Sequence, residues 1–139
     1  MIESMTIGGA AKQAGVSVET IRFYERKGLI EQPLKPSSGG HRVYSADSVR
    51  QLKFIKQAQG LGFSLQEVGE LLALRTDPAA ECDEVRDRTI RKLKDVDRKI
   101  LKLRTMRSAL VRMIDACPRK GVASDRCTIL KSLDSEDFT

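Results

Sequence analysis

The chain has 139 residues, a formal net charge of +6 and a pI near 9.4, which favours one small domain, with or without an extension, and suits a polyanionic partner. Hydrophobic residues make up 40% and charged residues 32%, so we expect a modest core that long amphipathic helices and a second subunit would complete. No apolar run approaches the roughly 18 residues needed to span a bilayer, and the N-terminus lacks a signal-peptide pattern, which predicts a cytoplasmic protein with no membrane partner.

The first two predicted elements are short helices within the run TIGGAAKQAGVSVETIRFYERKGLI. Small residues favour one helix that ends at Gly15. Ser17 is a suitable N-cap for a second helix from Val18 to about Lys27, and Gly28 suits the position after its end. Two short helices joined by a tight glycine-containing turn are typical of a helix-turn-helix. The same pattern also fits any helical hairpin with a solvated charged face.

The second helix carries the polar side chains that could meet a partner. Its predicted exposed residues are Thr20, Arg22 and Arg26, with Tyr24 close to them. On the other side, Ile21 and Phe23 are predicted to face inward. The pattern therefore indicates a binding face but does not by itself identify DNA as the ligand.

A loop rich in proline and glycine follows and ends in the run HRVY, residues 41–44. This run predicts a short strand after the glycines, and therefore a small β-wing. Arg42 and Tyr44 would share one face of that strand, directed at a phosphate backbone. His41 stands alone in the loop, which favours a surface or turn residue over a metal ligand.

Two further helices are predicted to provide core and support. The third begins near Ala46 after a Ser45 cap and extends to residue 59. The fourth begins after Ser64, and Glu67 three residues later completes the pattern of a capping box. Apolar residues at helical spacing give the fourth helix a buried face: Leu65, Val68, Leu71 and Leu72.

A long helix is predicted next, with Asp77 as N-cap and Pro78 at the first position. It should end near Cys117, because Pro118 disfavours helical backbone at the residue before it. Apolar residues step by three and four along it and form a heptad seam interrupted only by an arginine: Leu93, Val96, Ile100, Leu103, Arg107, Leu110 and Ile114. The short remaining chain cannot bury so narrow a stripe, so the pattern predicts a homodimer.

The three cysteines are placed at the two ends of this helix and in the loop CPRKGVASDRC. Along a straight helix Cys82 and Cys117 would lie about 52 Å apart, so they cannot share a ligand within one chain. If two helices pair antiparallel, however, Cys82 of one chain meets Cys117 of the other, and the Cys127 loop can fold back to the same place. Two-fold symmetry would then give two equivalent sites of three sulfurs.

Thiolates select soft cations, and three thiols without a nearby histidine make a poor zinc site. Two alternatives remain open from the residues alone: Cys82 and Cys117 are small buried fillers, or the chain is a thiol-redox sensor in which Cys117 and Cys127 form a disulfide. An enzyme is disfavoured, because the chain shows no combination of His, Asp and Cys for nucleophilic catalysis and no phosphate-cradling glycine loop.

Taken together, the first helical run, the run HRVYSADSVRQLKFIKQAQGLGFSLQEVGELLAL, the long helix and the cysteine loop resemble the MerR family of bacterial transcription activators, over about residues 5–130. The run VETIRFYERKGL is the most specific part. The resemblance implies a mainly α fold with a winged helix-turn-helix domain in residues 1–76 and an antiparallel coiled-coil dimerisation helix in 77–117. Residues 118–139 would form a metal-binding loop and a short C-terminal helix or tail.

The resemblance also implies partners and site residues. A homodimer would bind operator or promoter DNA, and metal binding would distort and untwist the DNA so that bacterial RNA polymerase engages both promoter elements. The implied DNA contacts come from the recognition helix and the wing: Thr20, Arg22, Tyr24, Arg42 and Tyr44. The implied metal ligands are Cys82, Cys117 and Cys127.

The cysteine set is most similar to that of mercury-responsive members, which makes Hg(II) the expected effector. Relatives that sense monovalent copper-type ions have serine at the position of Cys82, so cysteine here implies a divalent ion. The loop differs from the mercury sensors at Pro118, Ser124 and Asp125, which leaves Pb(II) or Cd(II) open. Zinc is disfavoured, because the loop holds no further His or Cys.

Overall fold

A computed structural model describes residues 4–135, without the side chains of residues 125 and 126. Over this range the chain is helical, as the sequence predicted, and it divides between Lys92 and Leu93 into two compact units, called here the N-terminal and C-terminal units. The helices in chain order are α1 Ile7–Ala14, α2 Val18–Arg26, α3 Ala46–Gly60, α4 Leu65–Thr76, α5 Cys82–Ala116, α6 Ala123–Arg126 and α7 Thr128–Asp134.

Serine caps begin the helices of the N-terminal unit where the sequence predicted them. The side chains of Ser17, Ser45 and Ser64 each accept a hydrogen bond from a backbone N–H in the first turn of α2, α3 and α4. Such a cap contributes about 1 kcal/mol. Glu67 completes the capping box with Ser64. Gly15, at the end of α1, has φ of 72°, a left-handed conformation that side chains with a Cβ rarely adopt.

The core of the N-terminal unit is closed. Ile21, Leu52, Ile55 and Val68 are all inaccessible to solvent, and they bring α2, α3 and α4 together. Ala10 is also fully buried; small side chains on α1 let it lie close to its neighbours. This unit therefore buries its apolar surface within one chain.

The predicted strand HRVY is wrong for the described residues. No strand occurs within residues 4–135, and this segment contributes one antiparallel bridge, between Met5 and Tyr44. The bridge has two backbone hydrogen bonds, of 3.0 and 2.7 Å. The bridge cannot extend from Met5 toward α1, because that helix begins two residues later, at Ile7. The wing segment, residues 35–44, is thus a loop fixed at one end.

The start of the long helix also differs from the prediction. Asp77 ends α4 instead of capping α5, and its carboxylate accepts a hydrogen bond of 2.9 Å from the Ala79 N–H. Such a local side-chain bond competes with the helix. Residues 77–81 therefore form a turn, and α5 begins at Cys82. Its predicted end is confirmed to within one residue, at Ala116.

The first part of α5 is fastened to α4 by two ion pairs. Arg88 pairs with Glu70, and Lys92 approaches Glu67 to 2.7 Å. The ammonium of Lys92 also lies 5.5 Å from the centre of the Phe63 ring. Lys92 is only 8% exposed, so its contacts with Glu67 and Phe63 lie at the edge of the N-terminal unit's core.

The C-terminal unit leaves the predicted heptad seam uncovered. Five apolar residues of that seam are between 41% and 65% exposed: Leu93, Ile100, Leu103, Leu110 and Ile114. Met113 is buried instead, in a groove beside α5 that Ser132 of α7 also lines. The long helix therefore fits a coiled-coil dimerisation element, as predicted. Of the helices in residues 4–135, none is long and apolar enough to cross a membrane.

Candidate DNA interface and cysteine site

A basic cavity lies where α1, α2 and the wing segment meet. Its lining includes Arg22 from α2 and Lys35 and Arg42 from the wing segment, together with Thr6 and Gly8 at the start of α1. Three cationic side chains and the N-terminal end of a helix favour a phosphate or another anion. The predicted recognition helix and wing thus contribute to one surface.

The five predicted DNA contacts differ in exposure. Arg22 is exposed, and Thr20 and Arg42 are partly exposed. Tyr24 and Tyr44 are buried, at 5% and 2% exposed. The sequence analysis predicted that Tyr24 lies close to the exposed residues and that Phe23 faces inward. The structure shows the reverse: Tyr24 is buried and Phe23 is partly exposed. Tyr24 is three positions after the buried Ile21 and therefore lies on the same side of the helix.

Both tyrosine hydroxyls have partners inside the N-terminal unit. The Tyr24 hydroxyl donates to Gln59 of α3, and burial raises the pKa of Tyr24. The Tyr44 hydroxyl donates to the Glu25 carboxylate at 3.0 Å. Burial, and then the hydrogen bond and negative charge of Glu25, raise the pKa of Tyr44 to about 12, against the opposing charges of Arg42 and Arg22. The Tyr24 side chain therefore holds α2 to α3, and the Tyr44 side chain holds the wing segment to α2.

The sequence reasoning missed Glu25 and Gln59 as the partners of these tyrosines. It also missed Gln32 and Lys35, which line the basic cavity. Helical spacing could have indicated that Glu25 lies on the inner side of α2, since it is one turn after the buried Ile21. The partner of Tyr44 comes from an element 19 residues away, and no local pattern indicates that contact.

The three cysteines are free thiols with access to solvent. Cys82 is the first residue of α5 and is exposed. Cys117 follows the end of α5, and Cys127 precedes α7; both are partly exposed. Within one chain, the described residues bring no three His, Cys, Asp or Glu side chains together as a metal site. Accessible sulfur ligands suit a soft cation.

Comparison with known proteins agrees with this architecture. The sequence matches the family described as MerR HTH family regulatory protein over residues 5–74, and the one described as MerR, DNA binding over residues 49–113. The mercuric resistance operon regulatory protein of Shigella flexneri is 48% identical over 136 residues, which cover 97% of this chain and 91% of that one. The chain belongs to the MerR family. This confirms a DNA-binding helix-turn-helix regulator of transcription.

Two solved structures of transcription regulators extend the likeness over nearly the full length. The transcription regulator PbrR691 of Ralstonia metallidurans, in complex with lead(II), is 31% identical with a TM-score of 0.80, covering 93% of this chain and 98% of that one. The regulator MerR of Bacillus megaterium, in complex with mercury(II), is 36% identical with a TM-score of 0.69, covering 94% and 100%.

Proposed function

We propose that this MerR-family regulator controls a heavy-metal resistance operon and responds to Hg(II). The observation that carries the proposal is the set of three accessible thiols at the ends of α5 and beside α7, in a chain 48% identical to a mercuric resistance regulator. Two-coordinate or three-coordinate sulfur sites favour soft ions over zinc, which takes four ligands in structural sites.

The DNA partner is an operator or promoter. In a homodimer, two copies of α2 would enter successive major grooves of a near-palindrome. Arg22 would contact a base edge or a nearby phosphate, and Arg42 would contact the flanking backbone, since both line the basic cavity. Thr20 lies near the start of α2 and is partly exposed. The direct DNA contacts of Tyr24 and Tyr44 stay predictions, and their hydroxyls are bonded within the domain.

The metal would be held by Cys82 of one protomer and by Cys117 and Cys127 of its partner. The exposed seam of α5 supports the dimer that this arrangement needs. Activation would follow from a change in the bound promoter that lets bacterial RNA polymerase engage it. Because promoter DNA and RNA polymerase are its proposed partners, the protein would act in the cytoplasm.

Pb(II) is the second candidate effector, and Cd(II) the third. The lead-bound regulator from Ralstonia metallidurans matches this chain with a TM-score of 0.80. Thiolate sulfur accepts all three ions, so the ligand set alone does not rank them. Loop residues between the cysteines, including Pro118 and Ser124, would set the preference.

The test begins with DNA that the protein itself selects from a random pool, placed in a promoter for transcription with purified polymerase. Hg(II) should activate transcription at a lower concentration than Pb(II) or Cd(II), and Cys82→Ser should abolish activation while operator affinity stays within about twofold of wild type. Activation by peroxide without metal, with loss of two free thiols, would instead support the redox sensor. No metal-dependent transcription on a selected operator would refute the proposal.

A further inference from the structure

The Glu25 carboxylate links the recognition helix to the wing segment. Its Oε2 accepts the Tyr44 hydroxyl at 3.0 Å. The main chain of Tyr44 is held from the other side by the bridge to Met5, just before α1. The end of the wing segment is therefore fastened to two elements, by its backbone to the segment before α1 and by its side chain to α2.

Glu25 is the acidic residue among the cationic side chains of this surface. Arg22 lines both the basic cavity and an adjoining one whose lining includes Glu25 and Arg26. Within the described residues, the second oxygen of Glu25 and the Nε of Arg42 are buried without a hydrogen-bond partner. A carboxylate near bound DNA opposes the phosphate charge, so its presence there calls for a structural reason.

We propose that Glu25 is a positioning residue for DNA binding: by holding Tyr44 it fixes the wing segment against α2, so that Arg22 and Arg42 face the same stretch of phosphodiester backbone. This inference rests on the proposed binding of operator DNA. The carboxylate acts through Tyr44 and does not itself touch DNA. Its hydrogen bond to the Tyr44 hydroxyl fixes the position of Arg42, in the wing segment, relative to Arg22 of α2.

The proposal predicts the direction in which operator affinity changes when the Glu25 carboxylate is removed. If Glu25 were only a negative charge near DNA, its removal would strengthen binding, because repulsion of the phosphates is lost. If it positions the wing, removal of the hydrogen-bond acceptor weakens binding despite that gain. Glu25→Gln separates the two effects, since glutamine keeps an oxygen that can accept the Tyr44 hydroxyl while it removes the charge.

The experiment measures operator affinity by fluorescence anisotropy for the full-length dimer, on DNA selected by the wild-type protein. We expect Glu25→Ala to weaken specific binding about tenfold, the loss typical of one hydrogen bond to a charged group. Glu25→Gln should bind at least as tightly as wild type. The matched control is Glu19→Ala, which removes the same charge from an exposed position of α2 and should leave binding unchanged or tighter.

Two further measurements keep the test decisive. Tyr44→Phe removes only the donor hydroxyl, and Glu25→Ala in that background should cause no further loss of affinity, because both changes break one contact. In the absence of DNA, the Cζ NMR signal of Tyr44, in protein labelled at its two tyrosines, should move in Glu25→Ala and stay near its wild-type position in Glu25→Gln. Thermal unfolding establishes that each variant is folded.

The outcomes separate this inference from the proposed function. A wild-type protein that selects no DNA refutes operator binding itself, and with it the role of Glu25. A wild-type protein that binds its operator, with Glu25→Ala binding equally or more tightly, refutes the positioning role alone. Additive losses from Glu25→Ala and Tyr44→Phe would also refute it, since the carboxylate would then act by another route.

Discussion

The N-terminal and C-terminal units bury their apolar residues in opposite ways. In the N-terminal unit, Leu52 and Ile55 of α3 are inaccessible to solvent within one chain. In the C-terminal unit, Leu103 and Leu110 of α5 are 61% and 56% exposed, although they belong to a regular heptad seam of apolar residues. Exposed apolar surface of this extent marks an interaction site.

The difference shows that one unit is complete as a monomer and the other is not. The cysteines are divided between the units, with Cys82 in the N-terminal unit and Cys117 and Cys127 in the C-terminal unit, and the described residues of a single chain bring no three metal-ligating side chains together. Both the seam and the thiols would be completed by a second copy.

The largest effect is expected from a charge placed in the seam. Leu103→Glu should raise the dissociation constant of the dimer at least a thousandfold, on the order of 4 kcal/mol, because two buried carboxylates would lack partners. The N-terminal unit should stay folded. Sedimentation equilibrium measures the association, and circular dichroism measures the helix content that remains.

Leu101→Glu is the matched control. Leu101 is the same residue type, 66% exposed, but two positions away and therefore about 200° around the helix. It lines the groove opposite the seam, and its substitution should leave the protein dimeric. Equal loss of the dimer in both variants would contradict the assignment of the seam.

A cavity in the closed core should have the next largest effect. Leu52→Ala should lower the free energy of unfolding of the N-terminal unit by about 3 kcal/mol, from lost burial and an unfilled cavity. Urea unfolding followed by circular dichroism measures the change. Leu110→Ala serves for comparison: it should act mainly through the dimer, so its effect should depend on protein concentration, whereas that of Leu52→Ala should not.

Removal of one cation from the proposed DNA surface should affect binding without affecting either unit. Arg22→Ala should weaken operator affinity by about 2 kcal/mol and leave the dimer intact. Arg50→Ala is the control, because Arg50 lies on α3 and pairs with Asp47. Anisotropy titrations at several salt concentrations measure both variants. Wild-type affinity in Arg22→Ala would count against α2 as the recognition helix.

The smallest effect concerns the contact between α4 and α5. The hydrogen bond from Lys92, and then that from the Ser64 backbone, lower the pKa of Glu67 to about 2. A carboxylate with a lowered pKa stabilises the folded state above its unfolded pKa of about 4.3, and this contribution is lost as pH falls toward 2. Because the Glu67 side chain is 34% exposed, solvent screening limits the contribution to about 1 kcal/mol.

Glu67→Gln should therefore be less stable than wild type at pH 7, and this difference should shrink steadily as pH falls from 5 toward 2, in urea unfolding at several pH values. Glu81→Gln, at an exposed position, should show no such convergence. A stability difference for Glu67→Gln that persists unchanged at low pH would mean that the ion pair is not its cause.

Local chemistry explains which parts of this fold the sequence could predict. Serine caps and left-handed glycines act over three or four residues, and the starts of α2, α3 and α4 were correct. The start of α5 was wrong, because Asp77 can either cap a helix or form a tight turn, and the sequence does not rank the two. The wing strand was wrong for the opposite reason: its pairing depends on Met5, which is distant in sequence.

The candidate site shows the same limit. Arg22 and Arg42 were placed near one surface from patterning and resemblance, and the structure brings both to one cavity. The burial of Tyr44 and its bond to Glu25 depend on tertiary contacts and were not anticipated. The three cysteines stay a prediction as a shared metal site, because the described residues of one chain do not bring them together.

Metal binding by a mixed dimer decides whether a second copy of the chain completes the cysteine site. A Cys82→Ser chain and a Cys117→Ser/Cys127→Ser chain each lack ligands, and neither homodimer should retain Hg(II) against a thiol competitor. Their heterodimer should regain one tight site, formed by Cys82 of the second chain with Cys117 and Cys127 of the first. No tight Hg(II) binding in a verified heterodimer would contradict a site completed by the second copy, and wild-type binding by either homodimer would contradict the three-cysteine assignment.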